Sequence, residues 1–503
     1  MKWTTGPMVA ALLLTAGVCR ADSQTETDIR RSVVRILATQ RFPNLLKPWM
    51  KQEPHEITGT GVVLDGQRIL TNAHLVAYAK QIYVEPYQSS DKLAATVERL
   101  APGIDLAVLK VEDKTFWKNR PAVPRAADLP EGKDAVSIYG YPVGGSSLAV
   151  TKGTVTRINY GLLGSQPPME YGLLGSEMGP YIQIDAAVNP GNSGGPALVK
   201  DRMIGVVFGS SLEGQNIGYV IPNEEIDYFL QRRGGSRDHK PRIVDELQSL
   251  HNDALRNKLK LAKSVRGVLV RAPASADSSY PLKKGDVLTH IGPYEIDNDG
   301  VIRVKDDLRL VFQYIVPKLA RQNRVPLTIL RQGRSREIEL PVVCEERELL
   351  RELHGKYPSY FVYGPLVFSP ASAPLARALY DQELVPRGSP LLSRGDKDVA
   401  FDGEELVVVT SMLPHRIGKG YGDPSGRVVK QVNGVKIRNL RHMVETLRRV
   451  ADQYVEFEFH EKYVETLVFD RAEVLAAMED ILSDNSIGQQ CSADLRAVWK
   501  PAK

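Results

Sequence analysis

Asn189-Pro190-Gly191-Asn192-Ser193-Gly194-Gly195-Pro196 is the stretch on which the reading of this chain turns. A serine is a weak nucleophile at neutral pH; it needs a base within hydrogen-bond reach, and that base needs a carboxylate to fix its tautomer and stabilise its charged form. Two upstream segments supply those parts: Leu70-Thr71-Asn72-Ala73-His74-Leu75-Val76 and Asp105-Leu106-Ala107-Val108-Leu109-Lys110. Glycines around Ser193 permit a turn sharp enough for the Gly191 and Ser193 amides to point at one spot, where the oxyanion of a tetrahedral intermediate would sit. Taken singly, each segment has an ordinary reading as well: a structural histidine, a strand-capping aspartate, a Gly-rich loop.

Short β-type runs surround these segments, among them Val33-Val34-Arg35-Ile36-Leu37, Gly61-Val62-Val63-Leu64, Ala135-Val136-Ser137-Ile138 and Ile204-Gly205-Val206-Val207-Phe208. Asp65-Gly66 between two of them is a hairpin signal, because a tight turn needs positive φ. Many short strands without intervening helices predict a barrel or a sandwich.

The order His, Asp, Ser is accompanied by Gly59-Thr60-Gly61, Gly140-Tyr141-Pro142-Val143-Gly144-Gly145, Gln183-Ile184-Asp185-Ala186-Ala187 and Asn216-Ile217-Gly218-Tyr219-Val220-Ile221-Pro222. Together they resemble the trypsin-like serine proteases of the HtrA/Deg family. That resemblance implies a mainly β fold: a chymotrypsin-like double β-barrel of six strands each with the active site between them, closed by a helix over Glu224 to Leu230. It implies Ser193 as nucleophile, His74 as general base and then acid, and Asp105 as the group that orients His74. It also puts Ala187 at the base of the substrate pocket with Ile217, Gly218 and Tyr219 along its wall. No charge is available there, so small or medium apolar side chains should be preferred. Asn192 is neutral where zymogen-type relatives carry an aspartate, which points to loop rearrangement rather than zymogen cleavage as the switch. Tyr160-Gly161-Leu162-Leu163-Gly164-Ser165 recurs as Tyr171-Gly172-Leu173-Leu174-Gly175-Ser176, within a stretch that in the family orders the oxyanion hole; a tolerated insertion and a lengthened regulatory loop both explain it.

Arg232 to Arg242 is basic, Gly-containing and free of apolar residues, and reads as a linker. Beyond it, Gly267 to Val270, Leu282 to Ile291, a helical stretch through Leu308, Val311, Phe312 and Ile315, and Leu327 to Leu330 follow the layout of a PDZ domain. Tyr363-Gly364-Pro365-Leu366, Val428 to Ile437, a helix near Leu440 to Val450 and Val455 to Phe459 look like a second, diverged copy. PDZ domains hold a peptide carboxylate in a loop of backbone amides. Asp245 would repel a carboxylate in the first such loop and Pro365 removes an amide from the second, so assembly or gating competes with ligand capture as their role. Two PDZ-like α+β domains after the protease domain give expected divisions of 1–21 signal peptide, 22–234 protease, 236–345 and 355–475 PDZ-like, and 476–503 C-terminal tail. Ile296-Asp297-Asn298-Asp299-Gly300, Phe116-Trp117 and Glu461 to Leu467 most resemble the plant-type Deg proteases.

Composition agrees with several folded units: 503 residues at roughly 150 per domain suggest about three. With 43% hydrophobic and 25% charged residues, a disordered, collagenous or polytopic membrane chain is excluded. A formal charge of +5 spread along the chain gives no basic face for nucleic acid. Lys2, the apolar run Met8 to Leu14 and small residues up to Ala21 read as a secretory signal peptide, and no later segment is long enough to span a bilayer. An exported location is expected, in a periplasm or cell envelope or as a secreted protein. Cys344 and Cys491 would remain, as thiols or as one pair. No cofactor and no metal are expected. The partners expected are unfolded protein substrates and, by resemblance, further copies in homo-oligomers built from trimers. The leading reading is an ATP-independent serine endopeptidase of protein quality control; a PDZ scaffold with a latent triad and a regulatory protease cutting one signalling substrate are the competing ones.

Overall fold

The computed structural model describes residues 26–163, 177–210, 216–231, 238–345, 348–395 and 397–500. Residues 1–21, expected to be a signal peptide, and most of the duplicated loop, residues 164–176, lie outside the described residues.

Twelve strands build two closed barrels. The first is formed by β1 (Val33–Gln40), β2 (His55–Leu64), β3 (Arg68–Thr71), β4 (Ala79–Glu85), β5 (Leu93–Ala101) and β6 (Leu106–Val111), in the order β1-β2-β3-β6-β5-β4. The second is formed by β7 (Ala135–Gly140), β8 (Ala149–Leu163), β9 (Glu177–Ile184), β10 (Pro196–Val199), β11 (Arg202–Ser210) and β12 (Gly218–Pro222), in the order β10-β11-β12-β9-β8-β7. Successive strand residues face opposite sides: on β1, Val34, Ile36 and Ala38 fill the first barrel, while Val33 joins a separate apolar seam between the barrels. That seam gathers Leu70, Leu106, Tyr139, Val206 and Phe229, the last from the helix Asn223–Gln231. Apolar packing thus sets how the barrels face each other. At Asp65-Gly66 the hairpin forms, with Gly66 at φ +78° and Val63 paired to Ile69.

Asp238–Arg242, expected within a linker, is instead a strand paired with Val343–Glu345. A polar pentapeptide gains this structure from its partner's ladder and carries no period of its own. The next sheet contains Glu246–Gln248, Val268–Ala272, Val287–Ile291, Arg324–Arg331 and Arg334–Pro341. The helix expected through Leu308, Val311, Phe312 and Ile315 is absent. Leu308–Val311 is a strand hairpinned to Val301–Lys305, followed by the 3-10 turn Phe312–Tyr314 and a single helical turn, Val316–Leu319. Leu310 and Phe312 are buried at a period of two, and Pro317 suits only the first turn of a helix.

In the C-terminal unit the helix Leu440–Arg449 forms as expected and buries Leu440, Met443, Val444 and Leu447. Residues 476–500, expected as a tail, are part of this core. The helix Arg471–Asp484 leads into Ile487, Cys491, Leu495 and Val498, all buried with Phe361 and Phe457, and Cys491 bridges Phe361 in β fashion. Val474, Ala477, Met478 and Ile481 keep a helical period, whereas the burial of Ile487, Cys491, Leu495 and Val498, which lie on turns and short helical pieces, is decided by their tertiary neighbours. Among the described residues no helix is long and apolar enough to cross a membrane.

Candidate active site

His74 lies in the single-turn helix Ala73–Val76 just after β3, and Asp105 lies between the 3-10 turn Pro102–Ile104 and β6. Because β3 and β6 are paired, with Thr71 opposite Ala107, their ends deliver both side chains to one rim of the first barrel. Asp105 adopts φ +55°, a left-handed conformation that aspartate tolerates better than most residues. Its carboxylate grips the histidine twice: Oδ1 accepts the His74 backbone N–H at 2.8 Å and Oδ2 pairs with Nδ1 at 2.7 Å. Both residues are buried. Asn72 Nδ2 donates to the Asp105 carbonyl at 2.9 Å, fixing the backbone behind it. With Nδ1 committed to a carboxylate, proton exchange falls to Nε2.

Ser193 stands half-buried in the loop between β9 and β10 of the second barrel. Thr60 of β2 fastens that loop to the first barrel. Its N–H donates to the Ser193 carbonyl at 2.9 Å, and its hydroxyl donates to the Gly191 carbonyl at 2.7 Å while accepting the Tyr141 N–H at 2.9 Å. The Pro190 carbonyl accepts from Val143 N–H, in the loop between β7 and β8, at 2.8 Å, and within the serine loop the Asn192 carbonyl accepts from Gly195 N–H at 2.9 Å. In a trans peptide the N–H points opposite to the C=O. These two bonds therefore turn the Gly191 and Ser193 N–H groups the other way, and among the described residues neither has a hydrogen-bond acceptor. Two anchored, unpaired amides suit a developing oxyanion. Gly191 (φ +99°) and Gly194 (φ +82°) have no room for a side chain: a Cβ would lie 2.3 Å from the Tyr141 carbonyl oxygen and 2.1 Å from that of Thr60 respectively.

Of the expected pocket residues, Ala187 is exposed, Ile217 is half-buried and Gly218 is buried against Val188, which a Cβ on Gly218 would meet at 2.5 Å. Tyr219 departs from the expectation. Its ring packs 5.6 Å from Tyr181 and 6.1 Å from Phe208, in the seam between the barrels. Alternation along β12 explains this, since a strand that presents Gly218 to Val188 presents Tyr219 to the other side. Residues 211–215 lie outside the described residues. Thr60 is a contributor that the sequence does not single out; its one signal there is a hydroxyl between two glycines in an apolar strand.

At each of the two expected carboxylate loops, one group named from the sequence or adjoining it already has an internal partner. Asp245 is buried, with Oδ1 accepting from the Ala274 N–H at 2.8 Å and Oδ2 from the Tyr280 hydroxyl at 3.0 Å. In the second unit the Gly364 N–H is taken by Met478 Sδ at 3.2 Å, from the helix Arg471–Asp484.

Two closed barrels meeting at a His–Asp pair and a serine loop with tethered carbonyls define, as a class, a trypsin-like serine endopeptidase. Comparison with known proteins narrows this. A family model described as a trypsin-like peptidase domain matches residues 59–206, and one described as a PDZ domain matches residues 351–494. "Protease Do-like 2, chloroplastic" of Arabidopsis thaliana is 35% identical over 473 residues, covering 92% of this chain and 75% of that protein. "Putative protease Do-like 3, mitochondrial" of the same plant is 30% identical over 468 residues, covering 92% and 80%. Among solved structures, the HtrA-type protease AlgW with tripeptide is 22% identical with a TM-score of 0.47, covering 64% of this chain and 97% of that one. The chain belongs to the HtrA/Do-like family of serine proteases, with plant-type Deg proteins among its relatives.

Proposed function

We propose that this chain is an ATP-independent endopeptidase of protein quality control that cuts unfolded or damaged exported proteins after small or medium apolar residues, through an acyl-enzyme on Ser193. The observation that carries the reading is the double hold of Asp105 on His74, at 2.8 and 2.7 Å, set beside a serine loop whose Gly191 and Ser193 amides are unpaired among the described residues. His74 Nε2 takes the Ser193 proton as Oγ attacks the scissile carbonyl, and later gives it to the leaving amine. Asp105 holds the tautomer and stabilises the imidazolium, and the amides of Gly191 and Ser193 receive the oxyanion. Removing one such donor typically costs about 10²–10³ in rate. Uncharged Ala187, Ile217, Gly218 and Val188 support an apolar side chain next to the cut. The apolar run Met8 to Leu14 supports export to a periplasm, cell envelope or exterior. We further assign the working form to homo-oligomers built from trimers, on the likeness to the family.

Labelling with a serine-directed fluorophosphonate tests the catalytic reading. The wild-type chain should be labelled and should cleave casein, and Ser193→Ala should do neither. An unlabelled wild type in every oligomeric state would leave a PDZ scaffold as the better account. Comparing cleavage products with and without Ser193 then separates broad turnover from the cutting of a single substrate.

A further inference from the structure

Gln40, the last residue of β1, is 1% exposed, and its side-chain amide donates to two carbonyls: His74 at 2.7 Å and Ala77 at 3.0 Å. Those carbonyls end the one-turn helix that carries His74, a helix with a single internal closing bond, Ala77 N–H to the Ala73 carbonyl. Helix ends leave carbonyls without partners, and here a buried side-chain amide supplies them.

The same spot is where the C-terminal unit rests. After Gln40 the chain leaves the barrel and returns at His55. Along this excursion Leu45 and Leu46 pack on a cluster containing Leu375 and Leu379, Trp49 lies 6.5 Å from the Tyr360 ring, and the Leu46 carbonyl accepts from the Ser411 hydroxyl at 3.2 Å. Tyr78 follows directly on Ala77. Its ring is 5.3 Å from Phe42 and 5.4 Å from Tyr357, its hydroxyl donates to the Lys356 carbonyl at 3.2 Å, and the Tyr357 hydroxyl donates to the Arg41 carbonyl at 2.7 Å. Arg41 N–H in turn donates to the Tyr78 carbonyl at 3.1 Å, one rung along from the Gln40–Ala77 bond. Tyr78 holds φ +57°, which for a bulky aromatic is a strained conformation that persists only when its surroundings impose it. The rings of Phe42 and Tyr357 impose it.

Resting on the protease reading above, we propose that Gln40 is a positioning residue for His74, and that docking of the C-terminal unit through Tyr357 onto Tyr78 controls how firmly Gln40 holds the histidine helix. Lifting Tyr357 frees Tyr78 to leave its left-handed conformation, which carries the Ala77 carbonyl away from Gln40. The second PDZ-like unit then acts on the general base, through the first barrel.

The test uses the full chain with Gln40→Leu, Tyr357→Ala and the double variant, each confirmed folded by circular dichroism and thermal unfolding. A misplaced catalytic group costs up to about 10²-fold in rate, so Gln40→Leu should lower kcat by roughly 10–100-fold with KM within about twofold. Tyr357→Ala, far from the barrel interior, should lower kcat in the same sense, and the double variant should lose far less than the product of the two effects, because both act on one element. Multiplicative effects, losses confined to KM, or wild-type kcat in Tyr357→Ala would overturn the inference while leaving the protease reading intact. If Gln40→Leu fails to fold, Tyr357→Ala and Tyr357→Phe still decide it, the latter keeping the ring contact and most of the rate. Absence of fluorophosphonate labelling in the wild type would instead remove the protease reading and this inference with it.

Discussion

Thr60 of the first barrel donates its hydroxyl hydrogen to the carbonyl of Gly191 in the second at 2.7 Å, and the same oxygen accepts the Tyr141 N–H. A single side chain therefore joins the two barrels at the loop that carries Ser193. Its orientation follows from Thr71, whose hydroxyl donates to the Thr60 carbonyl at 2.7 Å from the neighbouring strand.

Thr60→Val keeps the shape and removes both bonds, leaving a buried carbonyl and a buried N–H unpaired at about 1–3 kcal/mol each. The expected result is a fall in kcat for peptide hydrolysis of roughly 10–100-fold, with KM little changed and most of the rate restored in Thr60→Ser. A Thr60→Val chain with unaltered kcat would show that the nucleophile loop holds its own shape.

Gly194→Ala places a methyl group 2.1 Å from the Thr60 carbonyl oxygen at a residue with φ +82°. Backbone on both sides has no slack, so the loop must leave its seat. Fluorophosphonate labelling should drop to background while the first barrel, monitored by the exchange protection of β1 and β6 amides, stays folded. Labelling near the wild-type level would refute the tight approach.

Glu225 on the helix Asn223–Gln231 is 3% exposed and pairs with Lys240, whose ammonium also lies over the Tyr228 ring at 5.3 Å. Burial raises the Glu225 carboxyl above its ordinary 4.5, and Lys240 only partly offsets this. A raised carboxyl contributes stability fully below its unfolded value of 4.5, and that contribution is lost as pH rises through the folded value. Lys240→Met removes the offset, so its destabilisation should be on the order of 3 kcal/mol near pH 7.5 and should shrink as pH falls toward 4.5. Urea midpoints at the two pH values measure it; an equal loss at both would argue against a charged Glu225.

Ending the chain at Ser486 removes Ile487, Leu495 and Val498 from the C-terminal core. Each such side chain is worth about 1.5–3 kcal/mol when buried, so the C-terminal unit should lose on the order of 5 kcal/mol and its own calorimetric transition. An unchanged transition would restore these residues to the status of a tail.

Local chemistry in the sequence was enough for the serine loop, its order after His74 and Asp105, the glycines that loop cannot do without, the hairpin at Asp65-Gly66 and the helix Leu440–Arg449. Each depends on residue types within a few positions, or on a period of two or 3.6 over a short window. The helix read at Leu308 to Ile315 failed because a strand, a turn and a single helical turn in series can imitate helical spacing.

What the sequence by itself determined, then, is the chemistry available: a nucleophile, a base, a carboxylate and a backbone able to turn sharply around them. Only the tertiary structure decided which groups hold these in place. Thr60 and Gly191 are separated by 131 positions, Tyr78 and Tyr357 by 279, and neither pair has a local signature. Their relationship arises from barrel closure and from the docking of one apolar surface on another, and packing of that kind is specified by the whole chain at once.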